Sequence, residues 1–530
     1  MLMWNKEDFA YGFLTEAARR ADKRLQIPEL NSGFEPVYWY GDRDITKICQ
    51  DEYGDYVDWS GEGQIPLTYI ANVEAEGNYQ VRLTLYADQD VEDAMIFLGR
   101  RRLAWRGRIE GKKKWTGSFV TNICPIIPRT YTEPMEDLTL DVTVIGTGLH
   151  FSEIEIETFA GRTLYIAGDS TVTDQSADYP YLPGSSYCGW GQMISAYLSP
   201  GMAVSNHAHS GLTTESFRSE GHYRILLDRI SENDICLFQF GHNDQKLLHL
   251  MAEDGYRTNM IQYIEEIRSK GAIPVLVTPL ARNSWKGNDG TYNDLLQPYA
   301  KVCFEIGKEY DVPVIGLHER SMAFILSCGR ERVKRFFFPS DYTHSNDYGA
   351  LRFAWFVYED MQEAGLLGEN NPQQDVFYWE PPEVMPTLTI PEECKSMENP
   401  NAEHLFEDLE RPEDDLTRAE ALELVITAMH FFPTNVYNDM FTDVIGHERY
   451  AGMVECAWQN GLIPERMTAD HTFRPLDYIT GGEFMEILMN GYRSRKTPDA
   501  DDIAITPEGF QLNGHLKRGV AADMCKRLHI

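Results

Sequence analysis

Between residues 36 and 160, apolar and polar side chains alternate. In "YQVRLTLYAD", Val81, Leu83 and Leu85 alternate with Arg82 and Thr84, and "LTLDVTVIG" and "SEIEIETF" repeat the pattern. A period of two puts the apolar set on one face of a strand. Gly-, Asn- and Asp-rich turns separate the runs, and each strand has one face to bury, so the segment predicts a β-sandwich. Upstream, Phe9, Phe13, Leu14 and Ala17 recur at helical spacing. Residues 1–35 therefore read as an N-terminal extension with a short amphipathic helix.

From 161 to 368 the pattern changes to short, wholly apolar runs bounded by Gly, Pro or polar residues: "TLYIAG", "DICLFQFG", "IPVLVTPL" and "VPVIGLH". Strands buried on both faces of a parallel sheet look like this. Helical stretches such as "NMIQYIEEIRSKG" and "YAKVCFEIGKEY" lie between them, so an α/β domain is expected, with its ligand crevice beyond the C-terminal ends of the strands. Residues 369–415 are rich in Pro, Glu, Asp and Asn and read as an acidic linker, draped in part over a domain by its Phe, Tyr and Trp. Residues 416–530 are helical and internally repetitive. "LTRAEALELVITAM", "ITGGEFMEILMNGY" and "LKRGVAADMCKRL" each follow a small polar turn with apolar residues at helical spacing.

Composition narrows the partners. The 530 residues, 43% of them hydrophobic, suffice for several compact cores. Lys and Arg total 48 against 82 Asp and Glu, a net charge of −34 that repels nucleic acid and anionic membrane surfaces. The nine cysteines are dispersed without a CxxC or Cys/His cluster, which predicts neither a zinc site nor a disulfide framework. No run approaches the length of a membrane span, and the first 25 residues lack the apolar centre of a signal peptide. A cytoplasmic location is expected; a cell-surface one follows if an export signal has been trimmed from the native chain.

Candidate chemistry sits at the ends of the apolar runs. "RTLYIAGDSTVTDQ" places Ser170 just past a strand, where it is either a turn residue or a nucleophile. "VSNHAHSGLTTESF" places Gly211 in a loop before a helix start, and "LFQFGHNDQ" sets Asn243 at the lip of the next strand. "PSDYTHSNDYGALRFAWF" puts Asp341 and His344 three apart, so one loop can present a base and the carboxylate that orients it. Each stretch alone also reads as a capped helix. Histidines 207, 209, 222 and 242 lack carboxylates at metal-binding spacing; no metal and no cofactor is expected.

Taken in order, Ser170, Gly211, Asn243 and Asp341-x-x-His344 are the four blocks of the SGNH (GDSL) hydrolases. "GDSTVTDQ", "GWGQ" at 189–192 and "DYTHSNDYGA" resemble the rhamnogalacturonan acetylesterase branch, carbohydrate esterase family twelve. One departure is local: Leu212-Thr213 follow Gly211 where Arg-Ser is usual in that branch. The resemblance implies a flavodoxin-like three-layer α/β/α fold with a parallel sheet. It also implies a Ser170–His344–Asp341 triad, and an oxyanion hole of the Ser170 and Gly211 backbone N–H groups and the Asn243 side chain. Trp190, Arg282, Asn283 and Trp285 are candidate sugar contacts, aromatic and polar groups being what sugar rings ask for. The implied reaction removes O-acetyl groups from pectic or hemicellulosic oligosaccharides. Two alternatives stand beside it: a general SGNH esterase, lipase or thioesterase acting on small acyl esters, and a non-catalytic glycan- or wall-binding protein. The sandwich resembles galactose-binding-like domains. The C-terminal repeats resemble S-layer homology modules, with Arg418 of "LTRAE" in the wall-polysaccharide position, Gly481 in place of the second arginine, and Arg518 retained without the glutamate. A homo-oligomer built through these flanking domains is compatible with that resemblance.

Overall fold

The computed structural model describes residues 11–13, 39–40, 47–127, 133–134, 138–198, 200–286, 291–339, 341–368, 379–385, 411–429, 441, 443–444, 450–468, 470, 472–495, 506–507 and 510–527. The chain divides into two compact units, Met1–Asn283 with Asp294–Leu388 and Ser284–Asn293 with Thr389–Ile530. No helix among the described residues is long and apolar enough to cross a membrane.

Two antiparallel five-stranded sheets open the first unit. One runs Tyr11–Phe13, Leu67–Asn72, Thr139–Ile145, Val91–Leu98, Arg102–Ile109 in spatial order. The other runs Ile48–Gln50, Asp55–Val57, Leu149–Thr158, Gly77–Ala87, Lys114–Ile123. The alternating residues behave as their period requires: Val81, Leu83 and Leu85 are buried and share a core with Leu67, Leu140 and Val142 of the other sheet. The helix expected at the N-terminus is corrected at residues 11–13, which form a strand antiparallel to Leu67–Asn72. Phe13 is fully buried there, edge-on to Tyr69 and Phe151. A sheet edge with an apolar pocket beneath it outweighs a local helical period. The rest of the 1–35 extension lies outside the described residues.

The mixed α/β part follows. Its sheet is five-stranded and parallel, in the order Met202–Asn206, Arg162–Gly168, Ile235–Gln239, Ile273–Val277, Val314–Ile315. The apolar runs are these strands, and Leu164, Ile166, Leu237 and Val275 are fully buried. Helices Arg257–Ser269 and Gln297–Tyr310 pack Met260, Ile264, Val302 and Ile306 into one core with the sheet. The strand that follows Arg162–Gly168 in the chain lies on one side of it and the next strand on the other. That reversal opens a crevice at their C-terminal ends, where α/β sheets bind ligands. Trp379, from the segment read as a linker, is buried against Tyr348 with Arg106 over its ring.

One side chain ties the antiparallel sheets to the loops around that crevice. Arg101, in the turn between Val91–Leu98 and Arg102–Ile109, is fully buried. It donates to the Gln175 carbonyl at 2.9 Å, the Tyr187 carbonyl at 2.6 Å and Asp347 Oδ1 at 2.8 Å. Asp347, also fully buried, accepts in addition from the Tyr181 hydroxyl and the Gly184 N–H.

In the second unit, helices Arg418–Ala428, Ala451–Gln459, Gly481–Arg495 and Arg518–Lys526 share a core built on Leu422, Val425, Val454, Phe484, Leu488 and Met524. The turns before three of them pair in a cycle: Thr417 with Tyr478, Thr480 with His515, Asp415 with Lys517. Two arginine–glutamate joints follow that cycle. Arg418 reaches Glu483 at 2.7 Å and the Phe473 carbonyl, and Arg518 reaches Glu420.

The Arg101–Asp347 pair makes a stability prediction. Arg101→Met leaves a buried carboxylate without its cation and is expected to cost about 3–5 kcal/mol. Arg101→Met combined with Asp347→Asn should cost less than the two single losses together. Chemical denaturation of the three variants measures both; additive losses would show the two side chains to be independent.

Candidate active site

The turn after Arg162–Gly168 carries Ser170, half-buried, with Asp169 wholly inside it. Asp169 Oδ1 accepts from the Thr171 N–H at 2.9 Å and the Thr171 hydroxyl at 2.7 Å, which fixes the turn. Asp169 Oδ2 lies 3.2 Å from His242 Nδ1, and His242 Nε2 lies 2.9 Å from the Leu280 carbonyl. Two acceptors therefore face the two ring nitrogens. Burial disfavours the imidazolium and outweighs the pull of Asp169, so the His242 pKa is lowered. Burial also opposes the Asp169 charge, but His242 and the Thr171 donors outweigh it and hold the carboxyl below the usual range. His242 thus staples the Ser170 turn to the loop of the next strand, a link that no spacing in the sequence announces.

Ser170 Oγ lies 2.7 Å from His344 Nε2. His344 Nδ1 lies 2.8 Å from Asp341 Oδ2, and Asp341 Oδ1 accepts from the Thr343 N–H at 2.7 Å and the His344 N–H at 2.9 Å. Burial alone would raise the Asp341 pKa; the His344 ring and these backbone donors overcome it and keep the carboxyl below its ordinary value. The loop then runs into helix Asp347–Glu363, whose first turn is capped by the Asn346 side chain on the Gly349 N–H. Tyr187, stacked on Phe338, meets the His344 ring edge-on at 5.6 Å. Serine, imidazole and carboxylate thus stand in line, the geometry in which a base can take the hydroxyl proton.

The second and third blocks meet beside them. Gly211 has φ +86°, a left-handed conformation that suits glycine, and a Cβ there would project into open space. Asn243 Nδ2 donates to the Leu212 carbonyl at 3.0 Å, and Asn243 Oδ1 accepts from Lys246 Nζ at 2.7 Å. Asp244, deeply buried, accepts from the Thr214 N–H, the Thr214 hydroxyl and the Gly241 N–H, so it ties the Gly211 loop to the Asn243 loop. Burial pushes its carboxyl up to about 6. Lys246 carries only a local signal in the sequence, its place three residues past Asn243 in "HNDQK".

The candidate sugar contacts fare differently. Trp190 is corrected: it is fully buried and its indole N–H donates to Gln239 Oε1 at 2.8 Å, so it belongs to the core and has no face for a ligand. The sequence cannot distinguish an aromatic at a helix start that faces the crevice from one that faces the sheet. Arg282 and Asn283 are also largely buried, Arg282 donating to the Thr343 hydroxyl at 2.5 Å and to the His242 carbonyl. Arg282 thereby braces the loop of His344. Trp285 meets Tyr292 edge-on across the two-stranded pairing of Trp285–Lys286 with Thr291–Tyr292, which groups with the second unit. His207 is buried on the Ser205 hydroxyl, and the His209 and His222 rings lie 5.0 Å apart. Among the described residues no three metal-ligating side chains come together.

Trp190→Phe therefore makes a sharp test. Losing the indole bond to Gln239 should lower stability by about 1–3 kcal/mol, with KM for an aryl acetate unchanged. A raised KM in a variant of near-native stability would return Trp190 to the ligand surface.

Residues 166–351 match the GDSL-like lipase/acylhydrolase family. The rhamnogalacturonan acetylesterase RhgT of Bacillus subtilis is 33% identical over 216 residues, 38% of this chain and 90% of the relative. The probable rhamnogalacturonan acetylesterase YesY of the same organism is 33% identical over 211 residues, 38% of this chain and 94% of the relative. The crystal structure of YxiM from Bacillus subtilis aligns with 69% of this chain and 93% of its own, at 21% identity and a TM-score of 0.38. With a third of positions identical over nearly the full length of RhgT and YesY, the chain belongs to the GDSL-like lipase/acylhydrolase family.

Proposed function

We propose that the protein is a serine esterase that removes O-acetyl groups from plant cell-wall oligosaccharides, pectic or hemicellulosic. The observation that carries this reading is the unbroken line Ser170 Oγ–His344 Nε2, His344 Nδ1–Asp341 Oδ2, at 2.7 and 2.8 Å. The acetylated carbohydrate is suggested by what RhgT and YesY are named for.

Ser170 Oγ attacks the acetyl carbonyl carbon as His344 Nε2 takes its proton, and Asp341 steadies the imidazolium that forms. The tetrahedral oxyanion lies against the N–H groups of Ser170 and Gly211 and the second N–H of the Asn243 amide. One such donor is worth on the order of 10²–10³ in rate. His344 returns the proton to the departing sugar oxygen as the C–O bond breaks, leaving acetyl-Ser170. Water, deprotonated by His344, then attacks the acetyl group, acetate leaves, and Ser170 recovers its proton. The chemistry calls for no metal or cofactor. The two-sheet part, in the galactose-binding-like role, would wall the site. The second unit, in the S-layer-homology-like role, would be structural rather than wall-binding, because Arg418 is engaged by Glu483 and the Phe473 carbonyl.

A second reading draws on one observation: Leu247, Leu248 and Met251, just past the Asn243 loop, are exposed. Such a patch suits an apolar acyl chain, as in a general esterase or lipase. Acetate release from acetylated pectic, xylan and mannan oligosaccharides, set against hydrolysis of aryl acetate and longer aryl esters, separates the readings. Ser170→Ala is expected to lose on the order of 10⁴-fold or more in kcat. Equal turnover by wild type and Ser170→Ala would overturn the triad. Activity confined to aryl esters would discard the carbohydrate, and glycan binding without any turnover would favour the non-catalytic alternative.

A further inference from the structure

We infer that Lys246 is a positioning residue for the oxyanion hole: it fixes the Asn243 side-chain amide with one N–H to spare and holds a positive charge behind it. The inference rests on the reading of Asn243 as an oxyanion donor, and it adds a residue to which neither the sequence blocks nor the relatives' names assign a role.

A primary amide has two N–H donors and one carbonyl oxygen. Asn243 Nδ2 spends one N–H on the Leu212 carbonyl at 3.0 Å, and Lys246 Nζ donates to Oδ1 at 2.7 Å. Flipping the amide would set carbonyl against carbonyl and NH2 against ammonium, so these two anchors admit one orientation. They come from two loops, Leu212 next to Gly211 and Lys246 at the end of the turn Asp244–Lys246. The remaining Nδ2–H is therefore aimed by contacts made before substrate arrives, the condition under which a donor lowers a barrier without reorganising. A cation on Oδ1 also draws electron density from the amide nitrogen and strengthens the N–H that is left.

The surroundings make that cation titratable in the working range. Lys246 is exposed as a residue, but its ammonium is partly buried on the amide. Desolvation, then the Arg282 guanidinium, push its pKa down to about 8, against the pull of Asp169 and Asp244. Arg282 is held on the Thr343 hydroxyl and the His242 carbonyl, Asp169 on His242 and Thr171, Asp244 on Thr214 and Gly241. The sign follows from the charge on the lysine. Lys246 must be charged, so rate falls as pH passes about 8. An arginine at 246 stays charged throughout.

The test measures kcat and KM on an aryl acetate from pH 5 to 10 for wild type, Lys246→Met, Lys246→Arg and Asn243→Ala. Lys246→Met is expected to lose about tenfold or more in kcat, with KM within about twofold and no fall near pH 8. Lys246→Arg should keep more of kcat and move the alkaline limb upward. Wild-type kcat in Lys246→Met, or an unmoved alkaline limb in Lys246→Arg, overturns the inference. Should Lys246→Met fail to fold, the Lys246→Arg profile decides alone. Wild-type kcat in Asn243→Ala would instead remove the oxyanion role of Asn243, a failure visible apart from that of Lys246.

Discussion

The buried contact of Arg101 with Asp347 is the constraint on which the rest of the first unit turns. A guanidinium withdrawn from water is tolerable only when its donors are met. Here they are met by the carbonyl of Gln175, past the Ser170 turn, by that of Tyr187, and by a carboxylate at the start of the helix that follows His344. The two sheets and the loops of Ser170 and His344 therefore cannot shift independently without exposing or stranding a charge. The alternating segment is, in this sense, part of the hydrolase site's frame.

Within the site, burial and hydrogen bonding compete at every carboxylate, and the outcome differs by position. At Asp341 and Asp169 a histidine and local backbone donors win, and the groups stay ionised. At Asp244 burial wins, although three donors face it. The difference has a plain cause: Asp341 and Asp169 each face an imidazole, whereas Asp244 is held by neutral donors and the nearby Asp169 charge raises it further. Neighbours thereby set each carboxyl: the two that face a ring are lowered, and the one tied by neutral donors is raised.

What could be read from the chain follows the range of the interaction. The parallel strands showed themselves as apolar runs because burial on both faces leaves no room for polar residues. The loops of Ser170, Asn243 and Asp341–His344 showed themselves because strand-end chemistry is local. Arg101 did not: a hairpin-turn arginine normally faces water, and its partner is 246 residues away. Trp190 misled for the same reason, its choice between crevice and sheet resting on Gln239. At Tyr11–Phe13 a correct local period met a stronger distant partner, the open edge of Leu67–Asn72.

The arginine–glutamate joints of the second unit carry a consequence for how its turns read. Arg418 of the first turn meets Glu483 of the second, and Arg518 of the third meets Glu420 of the first. By the same rotation a residue at 481 would meet one at 520, and these are Gly481 and Val520. Both halves of one joint are absent together. Phe510 and the Gln511 carbonyl crowd the place where a 481 side chain would begin, and Val520 packs on the core. What looks like decay of two motifs, counted turn by turn, is a single exchange when counted around the ring: one polar clasp swapped for an apolar plug, with no charge left widowed.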